Sequence, residues 1–237
     1  MNKIKQARQL SLEIQSLQKS FRRGKKQILQ DITLQARGGQ CIGILGANGC
    51  GKSTLLSILA GIQRPDSGNV LLNGVNLLER KMQRNLSSLV GFVPQEPPLM
   101  AELTAYDNLK LWYCQSPLSL ERELEEGFLA TLGIPDFLTV SVRHMSGGMK
   151  KRLSIGCSIA MAPRVLLLDE PGAALDLLCK EYIETYLRQF RSQGNLILIA
   201  THEEREIALC DQLFLLKNGV LSPLSYEGDI HQIAKVL

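Results

Sequence analysis

The sequence lacks the features of a protein that spans a membrane, is secreted, or is stabilised by disulfides or a structural metal ion. No apolar run in its 237 residues approaches the roughly 20 residues that a membrane-spanning helix needs. The N-terminal segment MNKIKQARQLSLEIQ has no apolar stretch of the kind found in secretory signals. The six cysteines are scattered, without a CxxC pair or a His/Cys cluster at metal spacing, which argues against a disulfide framework or a zinc site. We therefore expect a cytoplasmic protein whose cysteines are small apolar fillers.

Charge is unevenly distributed along the chain. The formal net charge is +4, but residues 1–37 contain nine Lys and Arg against two Asp and Glu. Such an excess is compatible with a phosphate ligand or an anionic membrane surface. We favour a simpler interpretation, in which the run FRRGKK around Gly24 is a solvated hairpin turn.

Hydrophobic patterning predicts an α/β fold. With 45% hydrophobic residues, the chain can bury a sizeable core. Alternating apolar positions predict strands in LSLEIQSLQKSF and QILQDITLQA, and continuous apolar runs predict buried strands in QCIGILG, RVLLLDEP and NLILIATH. A helical pattern separates the last two, which favours a largely parallel sheet with helical crossovers. From about residue 96 to 160, helical patterns follow one another without strands, so we expect an α-helical insertion there.

The segment GANGCGKST, from Gly46 to Thr54, fits the phosphate-binding pattern G-x-x-x-x-G-K-[ST] between a predicted strand and a predicted helix. Gly46 and Gly51 let the backbone curl until consecutive N–H groups face one point, where the positive end of the helix dipole is also aimed. Lys52 can reach the outer phosphates of a nucleotide, and the Ser53 hydroxyl can bind Mg²⁺. In this setting the pattern favours a phosphate site over a mere glycine turn.

Two adjacent carboxylates end the strand VLLLDEP. Asp169 emerges at the ligand edge of the predicted sheet, where it can hold Mg²⁺ through water. Because neighbouring carboxylates repel, Asp169 on the metal side leaves Glu170 to polarise an attacking water. The alternative is that Glu170 only caps a helix after Pro171.

A second glycine-containing segment, HMSGGMKKRLSIG, precedes another predicted helix. Ser146, Gly147 and Gly148 in isolation are typical of a cap and a turn. However, a second anion-binding helix terminus, about 100 residues after the first, could also grip a phosphate held elsewhere in the same molecule or in a partner.

In this order, the motifs resemble those of the nucleotide-binding subunits of ATP-binding cassette (ABC) transporters over nearly the whole chain. The match includes the phosphate loop, Gln95 at the end of VGFVPQEP, the signature SGGMK, ALD at 174–176, and His202 in IATHE. The resemblance implies one ABC ATPase domain over residues 1–237, with a P-loop NTPase core, an N-terminal antiparallel β subdomain and an inserted helical subdomain at about 96–160.

The resemblance also implies ligands and partners. It implies ATP and Mg²⁺, membrane permease subunits, no nucleic acid, and a peripheral position on the inner face of the cell membrane. It further implies a head-to-tail dimer with a second ATPase subunit, identical or not. In that dimer, Ser146, Gly147 and Gly148 of one subunit cover the γ-phosphate bound by the other.

Site residues follow from the family position by position. The resemblance assigns Gln95 to Mg²⁺ and the attacking water, and His202 to the γ-phosphate. Phe21 matches the aromatic residue that stacks on adenine, although a phenylalanine there could also belong to the core. The candidate ATP-binding residues are Phe21, Gly46, Ala47, Asn48, Gly49, Cys50, Gly51, Lys52, Ser53 and Thr54. The candidate catalytic residues are Gln95, Glu170 and His202, and the candidate metal ligands are Ser53, Gln95 and Asp169.

The sequence departs from the family pattern at two places. Met149 replaces the commonest glutamine of the signature, and SGGMKKRL is similar to a variant found in exporter subunits whose membrane part is a separate chain. The pair Ala173-Ala174 replaces a small hydroxyl residue before Leu-Asp, which removes one potential hydrogen bond across the dimer. We expect slower or less tightly coupled hydrolysis as a result.

We therefore predict an ATPase subunit that drives a separate permease, in the direction of export. An importer subunit is the nearest alternative. A soluble ABC protein that acts on the ribosome or on DNA is a second alternative, but the chain length fits it poorly. A phosphotransferase is a third, but it would not need a second phosphate-binding loop. After Gln95, we expect Leu109, Trp112 and Tyr113 to pack inside a helix. Leu99, Met100 and Tyr106 are expected to form a partly exposed groove for a short helix of the permease.

Overall fold

Four N-terminal strands form an antiparallel sheet in the computed structural model, which describes residues 10–21, 26–83 and 86–226. The order is β2-β1-β4-β5. The bounds are β1 (Ser11–Phe21), β2 (Lys26–Arg37), β4 (Ser67–Leu72) and β5 (Val75–Asn76). The predicted antiparallel sheet is confirmed. The turn predicted around Gly24 lies outside the described residues.

A second sheet of six strands carries the candidate site. Its order is β10-β9-β3-β8-β7-β6, with β10 antiparallel to β9 and the other pairs parallel. The mostly parallel core is therefore confirmed. The strands β3, β7 and β8 are buried throughout, as expected of parallel strands covered on both faces. The bounds are β3 (Cys41–Leu45), β6 (Val90–Val93), β7 (Val165–Asp169), β8 (Leu196–Ala200), β9 (Gln212–Lys217) and β10 (Val220–Leu224).

Side chains at several helix starts fix where the helices begin. Thr104, Ser146 and Asp176 each accept a hydrogen bond from a backbone N–H in the first turn of the following helix. The helices are α1 (Lys52–Leu59), α2 (Arg80–Gln83), α3 (Ala105–Tyr113), α4 (Leu120–Glu125), α5 (Phe128–Thr131), α6 (Gly147–Ser158), α7 (Leu177–Ser192) and α8 (Glu204–Ile207). Helices α3 to α6 lie between β6 and β7 in the sequence. The division into one domain with an insertion at about 96–160 stays a prediction.

The six-stranded sheet separates two apolar clusters. On β7, Val165 and Leu167 face a cluster shared with the antiparallel sheet and α1, whereas Leu166 and Leu168 face a cluster built mainly from α3, α6 and α7. This alternation follows from the two-residue period of a strand. The sheet is thus fixed on both faces, and its carboxyl edge, where loops leave the strands, remains for ligands.

Two expectations about burial are wrong. Leu109 and Tyr113 are buried as predicted, but Trp112 is 44% exposed. The buried stripe of α3 runs through Ala105, Leu109 and Tyr113, one turn apart, and Trp112 lies beside it. Cys114, expected as an apolar filler, is exposed.

Candidate functional site

The phosphate loop connects β3 to α1 in a conformation that requires glycine. Gly46 has a φ of 155°, and a Cβ atom there would lie 2.4 Å from the Leu216 carbonyl oxygen. Gly51 has a φ of 118°, and its Cβ would lie 2.9 Å from a methyl group of Ile28. Both positions are therefore closed to other residues. The chain consequently turns from the strand directly into the N-terminus of α1, where backbone N–H groups favour anions.

Lys52, the first residue of α1, is buried and contacts His202. Its Nζ atom donates hydrogen bonds to the Gly46 carbonyl oxygen at 2.6 Å and to His202 Nε2 at 3.0 Å. Because an ammonium group can only donate, Nε2 accepts, and the imidazole is neutral with its proton on Nδ1. Burial, followed by the charge of Lys52, lowers the pKa of His202, and Glu170 opposes this shift. His202 is therefore neutral at pH 7.

Glu170 lies between three other candidate site residues. Its Oε1 atom is 3.9 Å from Lys52 Nζ and 3.7 Å from His202 Nε2, and its Oε2 atom accepts a hydrogen bond of 3.2 Å from Gln95 Nε2. The residue has a φ of 48°, a left-handed conformation that is uncommon outside glycine. The predicted Lys52, Gln95, Glu170 and His202 are thus brought together.

The alternative role of Glu170 as a helix cap does not fit the structure. The next helix, α7, begins at Leu177, six positions after Pro171 would have started one, and it is capped by Asp176. Glu170 instead ends the strand pairing, because its N–H donates to the Ala200 carbonyl oxygen at 2.9 Å. Its carboxylate instead contacts Lys52 of the phosphate loop and Gln95.

Ser53 and Asp169 form an oxygen-rich pair beside Lys52. Asp169 is buried, and the Ser53 hydroxyl donates a hydrogen bond to its carboxylate. Burial raises the pKa of Asp169, and the bond from Ser53 opposes that shift. A hydroxyl and a carboxylate are hard oxygen ligands of the kind that Mg²⁺ prefers, so the pair fits this ion. Gln95 contacts Glu170 instead, through its amide nitrogen.

A cavity of about 340 Å³ extends from Phe21 to Glu170. Phe21 ends β1, is 39% exposed, and has the Lys19 ammonium 5.4 Å from its ring centre. Its exposed ring face is thus available for stacking. Gly46, Ala47 and Cys50 shape the loop but do not line the cavity. The candidate residues that line it are Phe21, Asn48, Gly49, Gly51, Lys52, Ser53, Thr54, Gln95 and Glu170.

The signature residues lie elsewhere on the chain. Ser146 caps α6, and both Ser146 and Gly147 are exposed, but neither is among the lining residues of the cavity. Gly148 is packed against α7, since a Cβ atom there would lie 2.2 Å from Cys179 Sγ. The start of α6, which carries the signature, therefore packs against α7 through Gly148. The exposed Ser146 and Gly147 do not line the cavity of their own chain.

Two buried charged residues beside the candidate site, Lys151 and Glu206, were missed by the sequence analysis. Lys151 on α6 donates hydrogen bonds to the carbonyl oxygens of Pro94 and Gln95, at 3.1 and 2.9 Å, and so fixes the start of the segment after β6. Burial lowers the pKa of Lys151, against the opposing effect of nearby carboxylates. Glu206, one turn after His202, is 7% exposed. A run such as KKR is ordinarily solvated, so the only signals in the sequence were that Lys151 directly follows the signature and that Glu206 lies one turn after His202.

A larger groove of about 720 Å³ adjoins the cavity at Ser53 and Gln95, which line both. It lies between α1, α3 and α6, and its rim includes Ile62 and Trp112, which are 66% and 44% exposed. Met100 and Tyr106 are exposed but do not line this groove, and Leu99 packs against the helical cluster. The groove predicted from Leu99, Met100 and Tyr106 is therefore not the groove found here, because none of these three residues lines it.

A parallel sheet with this phosphate loop and these carboxylates defines a P-loop nucleoside triphosphatase. Comparison with known proteins gives the family. The sequence model of the ABC transporter family matches residues 29–173. The lipopolysaccharide export system ATP-binding protein LptB of Acidithiobacillus ferridurans is 34% identical, over 88% of this chain and 87% of LptB. The sulfate/thiosulfate import ATP-binding protein CysA of Pseudomonas aeruginosa is 30% identical, over 94% of this chain and 69% of CysA.

A solved structure gives the same result. The structure of cbiO1 from Clostridium perfringens, part of the ABC transporter complex cbiONQ, has a TM-score of 0.77 and 29% identity, and the match covers 94% of this chain and 90% of cbiO1. The chain belongs to the ABC transporter family and is the ATP-binding, ATP-hydrolysing subunit of such a transporter. Within the described ranges, no helix is long and apolar enough to cross a membrane.

Proposed function

We propose that this chain powers export through a separate membrane permease, by closing on ATP together with a second ATPase subunit and reopening after hydrolysis. The observation that carries the proposal is the convergence of Lys52, Gln95, Glu170 and His202 at the carboxyl edge of the sheet. The two relatives match over most of the chain, and one is an ATP-binding protein of an export system and the other a sulfate/thiosulfate import ATP-binding protein.

Each converging side chain has a distinct task. The loop N–H groups and Lys52 bind the β- and γ-phosphates, and Lys52 exchanges its bonds to Gly46 and His202 for bonds to phosphate oxygens. Glu170 accepts a proton from the attacking water, and Gln95 orients that water. His202, released from Lys52, donates a hydrogen bond from Nε2 to a γ-phosphate oxygen, in the neutral tautomer that carries its proton on that nitrogen. Phe21 stacks on adenine, which contributes about 1–3 kcal/mol.

The ATP-bound site also takes Mg²⁺. Ser53 and Asp169 would hold the ion, directly and through water, and Gln95 would complete its ligands after its amide turns from Glu170. Bound there, Mg²⁺ would neutralise part of the phosphate charge. The contact between Ser53 and Asp169 supports this assignment.

The exposed signature supports a site completed by a partner. Ser146 and Gly147 begin a helix of 12 residues, long enough to present a helix dipole, yet they do not line the cavity of their own chain. In a head-to-tail dimer, each signature covers the γ-phosphate of the other subunit. The exposed Ala173-Ala174 pair offers no side-chain hydrogen bond across this dimer, so the closed state is less tightly held.

The groove at Ile62 and Trp112 supports a permease as the second partner. Its wall includes Gln95, so a permease helix seated there would sense the movement of Gln95 towards the nucleotide. Such docking would hold the chain on the inner face of the membrane. We propose no nucleic-acid partner. The form SGGMKKRL supports export. Import is the alternative, because similar proteins include both an export subunit and an import subunit.

The role of Glu170 is tested by replacing it with glutamine. We expect Glu170→Gln to lower ATP hydrolysis about 10²–10⁴-fold, the usual effect of losing a general base. ATP binding should persist, and the variant should elute as an ATP-bound dimer in size-exclusion chromatography. Glu204→Gln, at an exposed position on α8, is the matched control and should behave like the parent. Parental hydrolysis by Glu170→Gln would contradict the proposal.

Direction is tested with inside-out membrane vesicles that contain the chain and its permease. ATP-dependent uptake of substrate into the vesicles is expected for an exporter. ATP-dependent release of a preloaded substrate would instead identify an importer and overturn the proposed direction.

A further inference from the structure

The buried Glu206 carboxyl lies between the two loops that carry the candidate catalytic residues. It accepts a hydrogen bond from the hydroxyl of Thr201, the residue before His202. It also accepts a hydrogen bond from the backbone N–H of Gly172, two residues after Glu170. One side chain therefore joins the segment after β7 to the segment after β8.

The contact with Gly172 is close enough to exclude any side chain at that position. A Cβ atom on Gly172 would lie 2.4 Å from Glu206 Oε1. On the other side, Thr201 is fully buried, accepts a hydrogen bond from the Glu203 N–H at 2.9 Å, and donates from its own N–H to the Ile44 carbonyl oxygen at 3.3 Å. Thr201 is thus fixed by its own surroundings, and Glu206 is in close contact with Gly172.

Glu206 acts where the strand pairing stops. The pairing of β7 with β8 ends at Asp169 and Ala200, followed by the single bond from the Glu170 N–H to the Ala200 oxygen. Beyond this point the two backbones leave the sheet, and the Glu206 carboxyl bridges them. The bridge joins Thr201, next to His202, to Gly172, two residues after Glu170. The side chains of Glu170 and His202 approach each other to 3.7 Å.

We propose that Glu206 is a positioning residue for ATP hydrolysis, which clamps the His202 loop against the Glu170 loop so that both side chains face one γ-phosphate. This inference rests on the roles proposed above for Glu170 and His202. Glu206 itself does not touch the nucleotide; it acts through the two loops.

The charged surroundings of Glu206 are consistent with a clamp rather than an ordinary core contact. Burial, together with the charge of Glu203, raises the pKa of Glu206 to about 7, against the opposing effects of the bonds from Thr201 and Gly172 and of the charge of Lys180. Lys180 is paired with Glu203 at 2.6 Å, and Lys151 approaches from α6. An apolar side chain could be buried here at a lower desolvation cost, but it could not accept the hydrogen bonds from Thr201 and Gly172.

The test is a double-variant cycle in the full chain, using Glu206→Ala, His202→Ala and the combination of both. We expect Glu206→Ala to lower kcat about 10–100-fold, because small displacements of reacting groups have effects of this size. ATP affinity, measured by equilibrium binding, should stay within about threefold, since the phosphate loop is separate. The combined variant should lose less activity than the product of the two single losses, because residues that act through one another are not additive.

Controls separate positioning from a loss of folded protein. The stoichiometry of ATP binding gives the active fraction, and Glu204→Ala on the same helix should match the parent. If Glu206→Ala does not fold, Glu206→Gln replaces it in the cycle. Glutamine has one acceptor oxygen where glutamate has two, so its side chain cannot reproduce both hydrogen bonds. Glu206→Asp should recover less activity than the parent but more than the alanine variant.

Three outcomes are decisive. Parental kcat in the Glu206 variants, with His202→Ala impaired, overturns the clamp alone. Losses in the double variant that multiply show that Glu206 acts independently of His202, and also overturn it. Parental hydrolysis in both His202→Ala and Glu170→Gln overturns the proposed function itself, and the clamp with it.

Discussion

Replacing Glu206 by glutamine should change how the stability of the chain depends on pH. The pKa of Glu206 is about 7 in the folded chain and 4.5 when the group is unperturbed. A group whose pKa is raised by folding contributes most stability below its unfolded pKa, and that contribution is lost as the pH rises through the folded pKa. For these two values, the loss between pH 5 and pH 8 is about 2.5 kcal/mol. Glutamine has no charge to lose, so its contribution is constant.

Urea denaturation of both proteins at pH 5 and pH 8 measures this difference. All other titrating groups are common to the two chains, so they cancel when the free energy of unfolding of the parent is subtracted from that of the variant. We expect the difference to move by about 2.5 kcal/mol in favour of Glu206→Gln on going from pH 5 to pH 8. The exposed Glu204→Gln should show almost no movement. A difference that is constant with pH, or that moves the other way, would refute the reasoning.

The remaining predictions concern ATP and the two partners. Lys52→Ala should weaken ATP binding by about 2–5 kcal/mol, because a buried charge that meets the phosphates is lost; parental affinity in an equilibrium binding assay would contradict this. Ser146→Arg should prevent the ATP-dependent dimer seen in size-exclusion chromatography without weakening ATP binding to the monomer, and a dimer that still forms would place the signature away from the interface. Ile62→Glu should leave a folded ATPase that no longer co-purifies with its permease, whereas Met100→Glu, also exposed but outside the groove, should co-purify normally. Equal retention of both variants would show that the permease docks elsewhere.

Much of the fold and the centre of the candidate site could be predicted because they depend on local patterns. The phosphate loop needs glycine where the backbone takes positive φ values, and only a few residues separate the strand from the helix. Parallel strands then bring their carboxyl ends to one edge, so Asp169, Glu170 and His202 had to lie near Lys52. This part was determined by the sequence through short-range geometry.

Tertiary structure decided which side chains are buried and which way they point. Trp112 lines a groove instead of packing inside, and the Gln95 amide contacts Glu170. Lys151 is buried against the carbonyl oxygens of Pro94 and Gln95, and Glu206 against the Gly172 N–H, which segments far away in the sequence supply. Burial of a charge is set by long-range contacts, because only neighbours from other elements can remove water and supply hydrogen bonds in its place. A sequence pattern records the period of an element but not what covers it.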